Sequence, residues 1–590
     1  MVHALADAGA LPNLHRLLEG GASGALAGFA PSQREMLWTS IATGCRPSRH
    51  GISTSVEVRP DTGGVQPIGH RSWRAPAFWD ILARAGIRSA AIGWPATRRG
   101  AEWLAAVIDD SFALPGGRDF ESWPLPPDCA PPALRSALRE LRIHPADIAA
   151  PDVAAFVPDL AAVDQAADRR LVQIAHMLAE AATVQAAAMQ LASDESWQML
   201  AVHYRLLDHA QRGFQRFKAG TGADARRYGG VVDAAYRFQD MLIGGLLDAC
   251  GGDTDVMIVS AGPRGALIAH GPSFARDGIV HDATVLDIAP TILALFGLES
   301  VADGRVVNDM LAAPVARLRP APRIELSESP NDGDLVASLE ALGYRDTLSP
   351  AQRQTIREAE LASLLNLAES EIAFGTWREA AGLLRRVLAL SPGHETAPLL
   401  LARCLVLLDE WEACRPIAVA LLARDPESLW GHLLQGAIFA VAGDAARAAP
   451  HLAQARKRGA SNALAQLQLG LLALRLGDAA AAEKHFRAVI ARDPEVIEAL
   501  HGLALACRAQ GKTAAAEAFL RQVVAQRFHF PRAHYQLGLA LADQGRIAEA
   551  THALRTALQQ DPALEEAQQA LRRLVQAQIA LDRGGSTPPA

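Results

Sequence analysis

The stretch Glu35–Ser53, "EMLWTSIATGCRPSRHGIS", is too specific in shape for an ordinary surface loop. An apolar turn runs into Thr-Ser-Ile-Ala-Thr-Gly, then a proline, then His-Gly-Ile. Gly44 and Gly51 allow turns that residues with a Cβ resist, and Pro47 punctuates the interval between them. Outward from this segment, strand-like runs alternate with helical ones. "RSAAIGW" (Arg88–Trp94) follows the amphipathic "AFWDILARAG", "WQMLAVHY" (Trp197–Tyr204) follows a long Ala-rich helix, and "TDVMIVSAG" (Thr254–Gly262) follows "RFQDMLIGGLLDAC". The alternation predicts an α/β sandwich around a mostly parallel central sheet. Sites in such sheets form at the C-terminal ends of strands, so the residues after Tyr204 and Val259 matter most.

A chain of 590 residues is too long for one core and should hold two or more domains. Its composition, 50% hydrophobic and 21% charged, is that of a globular protein. A net charge of −7 argues against general nucleic-acid binding. Six scattered cysteines with no CxxC pair read as free thiols of a reducing compartment. The first residues lack a basic segment followed by an apolar one, and no run approaches the ~20 apolar residues of a membrane helix. A cytoplasmic protein without membrane or nucleic-acid partners is the expectation.

The last third repeats. Glycines recur at 375, 443, 477, 511 and 545, and the one missing step of 34 residues, 409, is an aspartate. Five residues after each comes a small residue: Ala380, Cys414, Ala448, Ala482, Ala516 and Ala550. Pro392, Pro426, Pro494 and Pro562 keep the same step, with Ala460 and Phe528 filling the gaps. "LQLGLLALRLGDAAAAEKHFRAVIARDP" (Leu467–Pro494) shows the unit whole: two helices, Gly477 in the turn, Ala482 permitting close packing and Pro494 as the stop. This pattern resembles the tetratricopeptide repeat, with six copies over Leu361–Leu564 and a capping helix over 565–583. One unit cannot bury its own apolar face, so the units stack into an all-α superhelix with a concave groove. The resemblance implies a protein or peptide partner in that groove; a spacer, or a prop for the first domain, is the alternative.

From about Ala4 to Asp346 the chain resembles the alkaline phosphatase superfamily, in its type I phosphodiesterase/nucleotide pyrophosphatase branch. "AGALPNLHRLLEGGASG" looks like the helix and turn after that family's first strand, and "LWTSIATGCRPSRHGI" like its nucleophile helix. "LAVHYRLLDHAQRGF" looks like the strand and loop carrying ligands of the second metal. "VMIVSAGPRG" stands where the family has Ser-Asp-His-Gly, and "TVLDIAPTILALFGL" looks like its terminal helix. "LEALGY" closes the domain as in bacterial members with tetratricopeptide tails. The resemblance implies two zinc ions that bind phosphate oxygens and activate a Ser or Thr hydroxyl for in-line attack.

Carried across residue by residue, little of that chemistry survives. The nucleophile position holds Arg34, whose guanidinium stays protonated and cannot attack phosphorus. Ser32 lies two residues off register, and Thr39 and Ser40 lie downstream on the helix. The Asp-His pair becomes Ala261 and Gly262, and "PRGALIAHGPSF" shows no His before Gly265. Asp208 remains as a remnant metal ligand, but Arg212 stands where its partner His belongs. The first strand with its Asp would lie upstream of Met1, which implies an upstream coding run that is apolar and ends near an acidic residue. A rearranged metal site would have to draw on Asp208 with His203, His209, His270 or His281. The replacements share a direction, because Arg34, Arg212 and Arg264 bring fixed positive charge where zinc would sit. They read as a salt-bridge plug around Asp208, the preferred reading, or as an anion pocket for weak phosphate binding.

The expectation is therefore an inactive phosphodiesterase-like domain at 1–312, a linker and closing segment at 313–350, and a repeat array at 351–590. Such a pseudoenzyme would act as a scaffold by protein binding, without a cofactor. The alternative is a metal-dependent phosphoric ester hydrolase with a relocated zinc site.

Overall fold

A computed structural model describes residues 2–58, 65–98, 103–114, 129–165, 167–193, 197–262, 265–315, 317–324, 350–494, 496–526, 530–560 and 564–584. The chain divides into two compact units, 1–376 and 377–590.

The first unit is α/β, and its strands fall into two larger sheets and two small pairs. After the helix Pro12–Gly20 comes strand β1 (Ala22–Ala27), and a short hairpin pairs β2 (Val56–Val58) with β3 (Val65–Pro67). Strands β4 (Ser89–Trp94), β5 (Ala106–Asp109) and β6 (Met199–Val202) form a parallel sheet in the order β5-β4-β6. Strands β7 (Val256–Ser260), β8 (Gly265–His270) and β9 (Gly278–Thr284) join β1 in the order β7-β8-β1-β9.

This second sheet is mixed, which corrects the expectation of a mostly parallel one. β8 runs antiparallel to both β7 and β1, and only the β1–β9 pair is parallel. Four residues separate β7 from β8, too few for the crossover that a parallel pair needs. The three strands read from sequence occur as β4, β6 and β7; β1, β5, β8 and β9 were not foreseen. The helices Phe78–Arg84, Arg170–Ala192 and Val231–Cys250 stand where the helical runs were read, and Ile288–Leu295 where the family resemblance placed a terminal helix.

Three cores hold the unit, one of them joining Ile92 and Ile108 of the parallel sheet to Phe112, Leu138 and Leu191. Another gathers Trp73, Phe78, Trp79 and Trp94 with β1 and the helix Arg34–Thr43. The third packs Phe214, Tyr228 and Ile174 from the helices on the far side of β8. The expected linker is only partly loop. Arg319–Pro320 pairs in parallel with Leu298–Glu299, whereas residues 325–349, with "LEALGY", lie outside the described residues. The boundary between the units falls between Thr376 and Trp377, beyond the 350 read from sequence. The intervening helix Pro350–Phe374 packs on β2 and the segment after Gly44: Glu371 accepts from Arg46 Nη1 at 3.0 Å, and Asn366 donates to the Ser53 carbonyl at 2.7 Å.

The second unit is all helical, from Trp377–Leu390 to a closing helix Glu565–Gly584. Gly375, Gly443, Gly477, Gly511 and Gly545 all adopt φ between 73° and 80°, the left-handed turn that the 34-residue step requires of them. Ala380, Cys414, Ala448, Ala482, Ala516 and Ala550 are all buried. Pro562 and the residues around it lie outside the described residues.

Candidate functional site

β1 leads into the helix Arg34–Thr43, so Arg34 is the first helical residue after an uncapped Gln33. A cation at that end opposes the helix dipole. Glu35 in the same turn compensates: Arg34 donates to Glu35 Oε1 through Nη2 at 2.6 Å and Nε at 3.2 Å. The hydroxyls nearby are engaged or buried. Ser32 donates to the Phe29 carbonyl, and Thr39 is fully buried.

Ser40 faces His50 at 3.0 Å, a pairing that looks like an activated nucleophile. The tautomer argues otherwise. His50 Nδ1 accepts the Ile52 backbone N–H, so Nε2 carries the proton and donates to Ser40 Oγ. Both residues are fully buried, and burial lowers the His50 pKa to about 3. The pair ties the helix to the Arg46–Ser53 segment; it is not set up to deprotonate a serine.

The C-terminal ends of β5 and β6 supply the charged groups. Asp110 follows β5; His203, Arg205, Asp208 and His209 follow β6; and Glu180 comes from the helix Arg170–Ala192. Arg205 pairs with Glu180 at 3.1 Å, and Arg98 lies 3.6 Å from Asp110. Burial raises the pKa of Asp110 and of Glu180, against the pull of neighbouring arginines that include Arg34 and Arg205. Burial and the same cations hold His203 at about 3 and His209 at about 4, so both imidazoles are neutral at pH 7. His203 donates from Nδ1 to the Gly93 carbonyl and lies edge-on to Trp38. Asp110, Glu180, His203 and Arg205 line an enclosed cavity of about 10 Å³, room for one water. Asp110 Oδ1, Arg205 Nε and Asp208 Oδ2 are buried without a hydrogen-bond partner.

The carried-over positions are only partly brought together. Asp208 stands in the first turn of the helix Leu206–Lys218 and accepts from Arg212 Nε at 2.8 Å, an i,i+4 pair whose arginine is 66% exposed. Arg212 takes the Asp208 carboxylate and Arg34 pairs with Glu35, while both guanidiniums, like Asp208, act on the His209 ring. Arg264 lies outside the described residues. His270 and His281 sit on β8 and β9, in the other sheet from β6. Among the described residues, no three His, Cys, Asp or Glu side chains form a group that could hold a metal ion. Asp110, Glu180 and Arg205 were missed in the sequence, although "VIDD" at the end of an apolar run was a usable signal for a strand end.

Comparison with known proteins follows this division. Residues 2–263 match the family model of type I phosphodiesterase / nucleotide pyrophosphatase. Tetratricopeptide-repeat models match residues 371–436 and 473–540, 433–496, and 531–564. No curated protein matches. Similar solved structures include the APC/C hetero-tetramer Cut9-Hcn1, at 17% identity and TM-score 0.32, over 42% of this chain and 50% of that one. This chain thus spans half the length of that relative. YrrB, described as a TPR protein with an unusual peptide-binding site, matches at 17% identity and TM-score 0.25, over 32% of this chain and 99% of that one. A tetratricopeptide repeat protein from Parabacteroides merdae matches at 19% identity and TM-score 0.31, over 41% and 91%. The chain carries a type I phosphodiesterase/nucleotide pyrophosphatase domain followed by tetratricopeptide repeats.

Proposed function

We propose that the phosphodiesterase-like domain does not hydrolyse phosphate esters by the family's metal-dependent route, and that the chain acts by holding a protein partner through its repeat array. The observation that carries this reading is the Arg34–Glu35 pair. A guanidinium clamped at 2.6 Å heads the helix where the resemblance calls for a nucleophile. The fit to zinc is poor as well: Asp208 is engaged by Arg212, His209 lies 3.6 Å from a Glu180 that Arg205 already pairs, and among the described residues no three such side chains form a metal-binding group. Arg34 pairs with Glu35, Arg98 lies by Asp110, Arg205 pairs with Glu180 and Arg212 with Asp208, and this balance of charge supports a plug over an anion pocket.

The test is hydrolysis of phosphomonoesters and phosphodiesters with and without added zinc. No zinc-dependent turnover is expected. Turnover that needs zinc and disappears in Asp208→Ala overturns the reading. The anion alternative is tested by titrating phosphate into metal-free protein. The expected result is no saturable binding, whereas binding weakened by both Arg34→Ala and Arg212→Ala restores the pocket.

A further inference from the structure

Two histidines of the array stand 19 residues apart, His432 on the helix Leu429–Val441 and His451 on the helix Ala445–Arg458 that follows it. One 34-residue step later the same places hold Gln466 and His485, on the helices Ala463–Arg475 and Ala479–Ile490. Both pairs tie the first helix of a repeat to the second. His432 Nδ1 and His451 Nδ1 lie 2.9 Å apart, and His485 Nδ1 donates to Gln466 Oε1 at 2.7 Å. Each first-helix residue also donates to a carbonyl earlier in the chain: His432 Nε2 to Pro426 at 3.0 Å, and Gln466 Nε2 to Gly459 at 2.9 Å.

The two ties share a geometry and differ in chemistry. A carbonyl only accepts, so His432 Nε2 carries a proton, and in the neutral ring its Nδ1 is then bare. His451 Nδ1 must supply the proton of the shared bond. A further proton on the bare Nε2 of His451 leaves that bond in place and makes it charge-assisted. A second does not fit: with both rings charged, two N–H groups and two like charges meet across 2.9 Å. The amide oxygen of Gln466 gains no proton, so its bond to His485 survives in either form of that ring.

Surrounding charge does not rescue the doubly charged pair. Burial first, and His432 second, lower the His451 pKa. The Phe439 ring lies 6.0 Å from that of His451, and Arg447 and Arg415 stand over it at 4.6 and 5.8 Å. The acids on the packed elements are committed: Asp444 to Arg447, Glu412 to Arg415, Glu427 to Arg458, Asp409 to Arg475, and Asp425 to the Glu427 backbone N–H.

We propose that His432 and His451 form an acid-released tie between the two helices of one repeat, holding while the pair carries at most one extra proton and opening when both rings are charged. The unfolded chain charges both rings below the ordinary histidine value of about 6.5, and the closed pair takes one proton fewer. The tie's contribution is therefore complete above that value and is lost as pH falls below it. The Gln466–His485 tie keeps its bond, so acid loosens one repeat ahead of its neighbour. This property belongs to the array itself and does not depend on a bound partner.

Hydrogen–deuterium exchange followed by mass spectrometry on the full-length chain, at pH 7 and pH 5 and corrected for the intrinsic rate, reads each repeat separately. Protection over residues 429–458 should fall several-fold further in the wild type than in His432→Gln, which copies the neighbouring tie. Gln466→His should bring the same extra loss to residues 463–490. Equal losses over 429–458 in the wild type and His432→Gln overturn the proposal. Where His432→Gln fails to fold at pH 7, Gln466→His decides alone: extra acid loss over 463–490 supports the tie, and none overturns it.

Discussion

At the scale of single residues, protonation states separate structural pairs from chemical ones. Ser40 and His50 stand at hydrogen-bond distance, yet the Ile52 N–H on Nδ1 fixes the imidazole as a donor to the hydroxyl. The buried ring should then register in the pH dependence of stability. Its folded pKa of about 3 lies below the unfolded value of 6.5, so the unfolded state binds the proton more readily. The contribution is complete above pH 6.5 and is lost as pH falls toward 3. Between pH 7 and pH 5 the loss from this one group is about 2 kcal/mol. His50→Gln should remove that component, so the wild type loses about 2 kcal/mol more than the variant over the interval in denaturant unfolding followed by tryptophan fluorescence. Equal losses would mean that the imidazole can be protonated in the folded state. Ser40→Ala should cost about 1–3 kcal/mol by leaving the buried Nε2–H unpaired, with no effect on any ester hydrolysis.

At the scale of elements, the array was legible because its spacing is a physical necessity. A left-handed turn residue and a small residue at the helix crossing must recur once per unit, and they do at 375, 380 and onward. The mixed sheet was less legible. β1 (ASGALA) and β8 (GALIAH) are short and rich in small residues, without the branched, alternating pattern of a strand. The charged cluster was less legible still, because Asp110, Glu180 and Arg205 come from separate elements and meet only by tertiary packing. Within the array, one packing detail can be tested. Phe486 is fully buried between Gly470 and Gly502; a Cβ at 470 would lie 2.7 Å from its ring, and one at 502 would overlap it. Phe486→Ala should cost about 3–5 kcal/mol. Gly502→Ala should destabilise by about 1–3 kcal/mol despite alanine's better helix propensity. In the background of Phe486→Leu the same change should cost less. Additivity in that double-mutant cycle would mean that the ring is not what excludes a side chain at 502.

At the scale of the molecule, the question is where one folding unit ends, because the helix Pro350–Phe374 belongs by sequence to the repeats and by packing to the first unit. Its contacts are specific. Glu371, with a side chain 1% exposed, accepts from Arg46 and Ser48; Ser363 meets Ser53 at 2.6 Å; and the Phe374 ring lies 5.0 Å from that of Phe29. Arg46, Ser48 and Ser53 all belong to the segment that follows the Arg34 helix, so the helix closes over the place where the family resemblance is most specific. A cut at 349 would strip an apolar and hydrogen-bonded face from the first unit and leave the same helix unsupported on the array fragment. A cut at 376 leaves the cores of both units whole. Fragments 1–376 and 377–590 should therefore each melt cooperatively, whereas 1–349 should melt several degrees lower than 1–376 or fail to fold. Glu371→Ala in the full chain should act in the same direction, costing about 1–3 kcal/mol, because Arg46 and Ser48 lose a buried acceptor. Differential scanning calorimetry of the fragments and the variant checks all three. Equal midpoints for 1–349 and 1–376, with Glu371→Ala neutral, would return the boundary to residue 350 and make the helix an ordinary first member of the array.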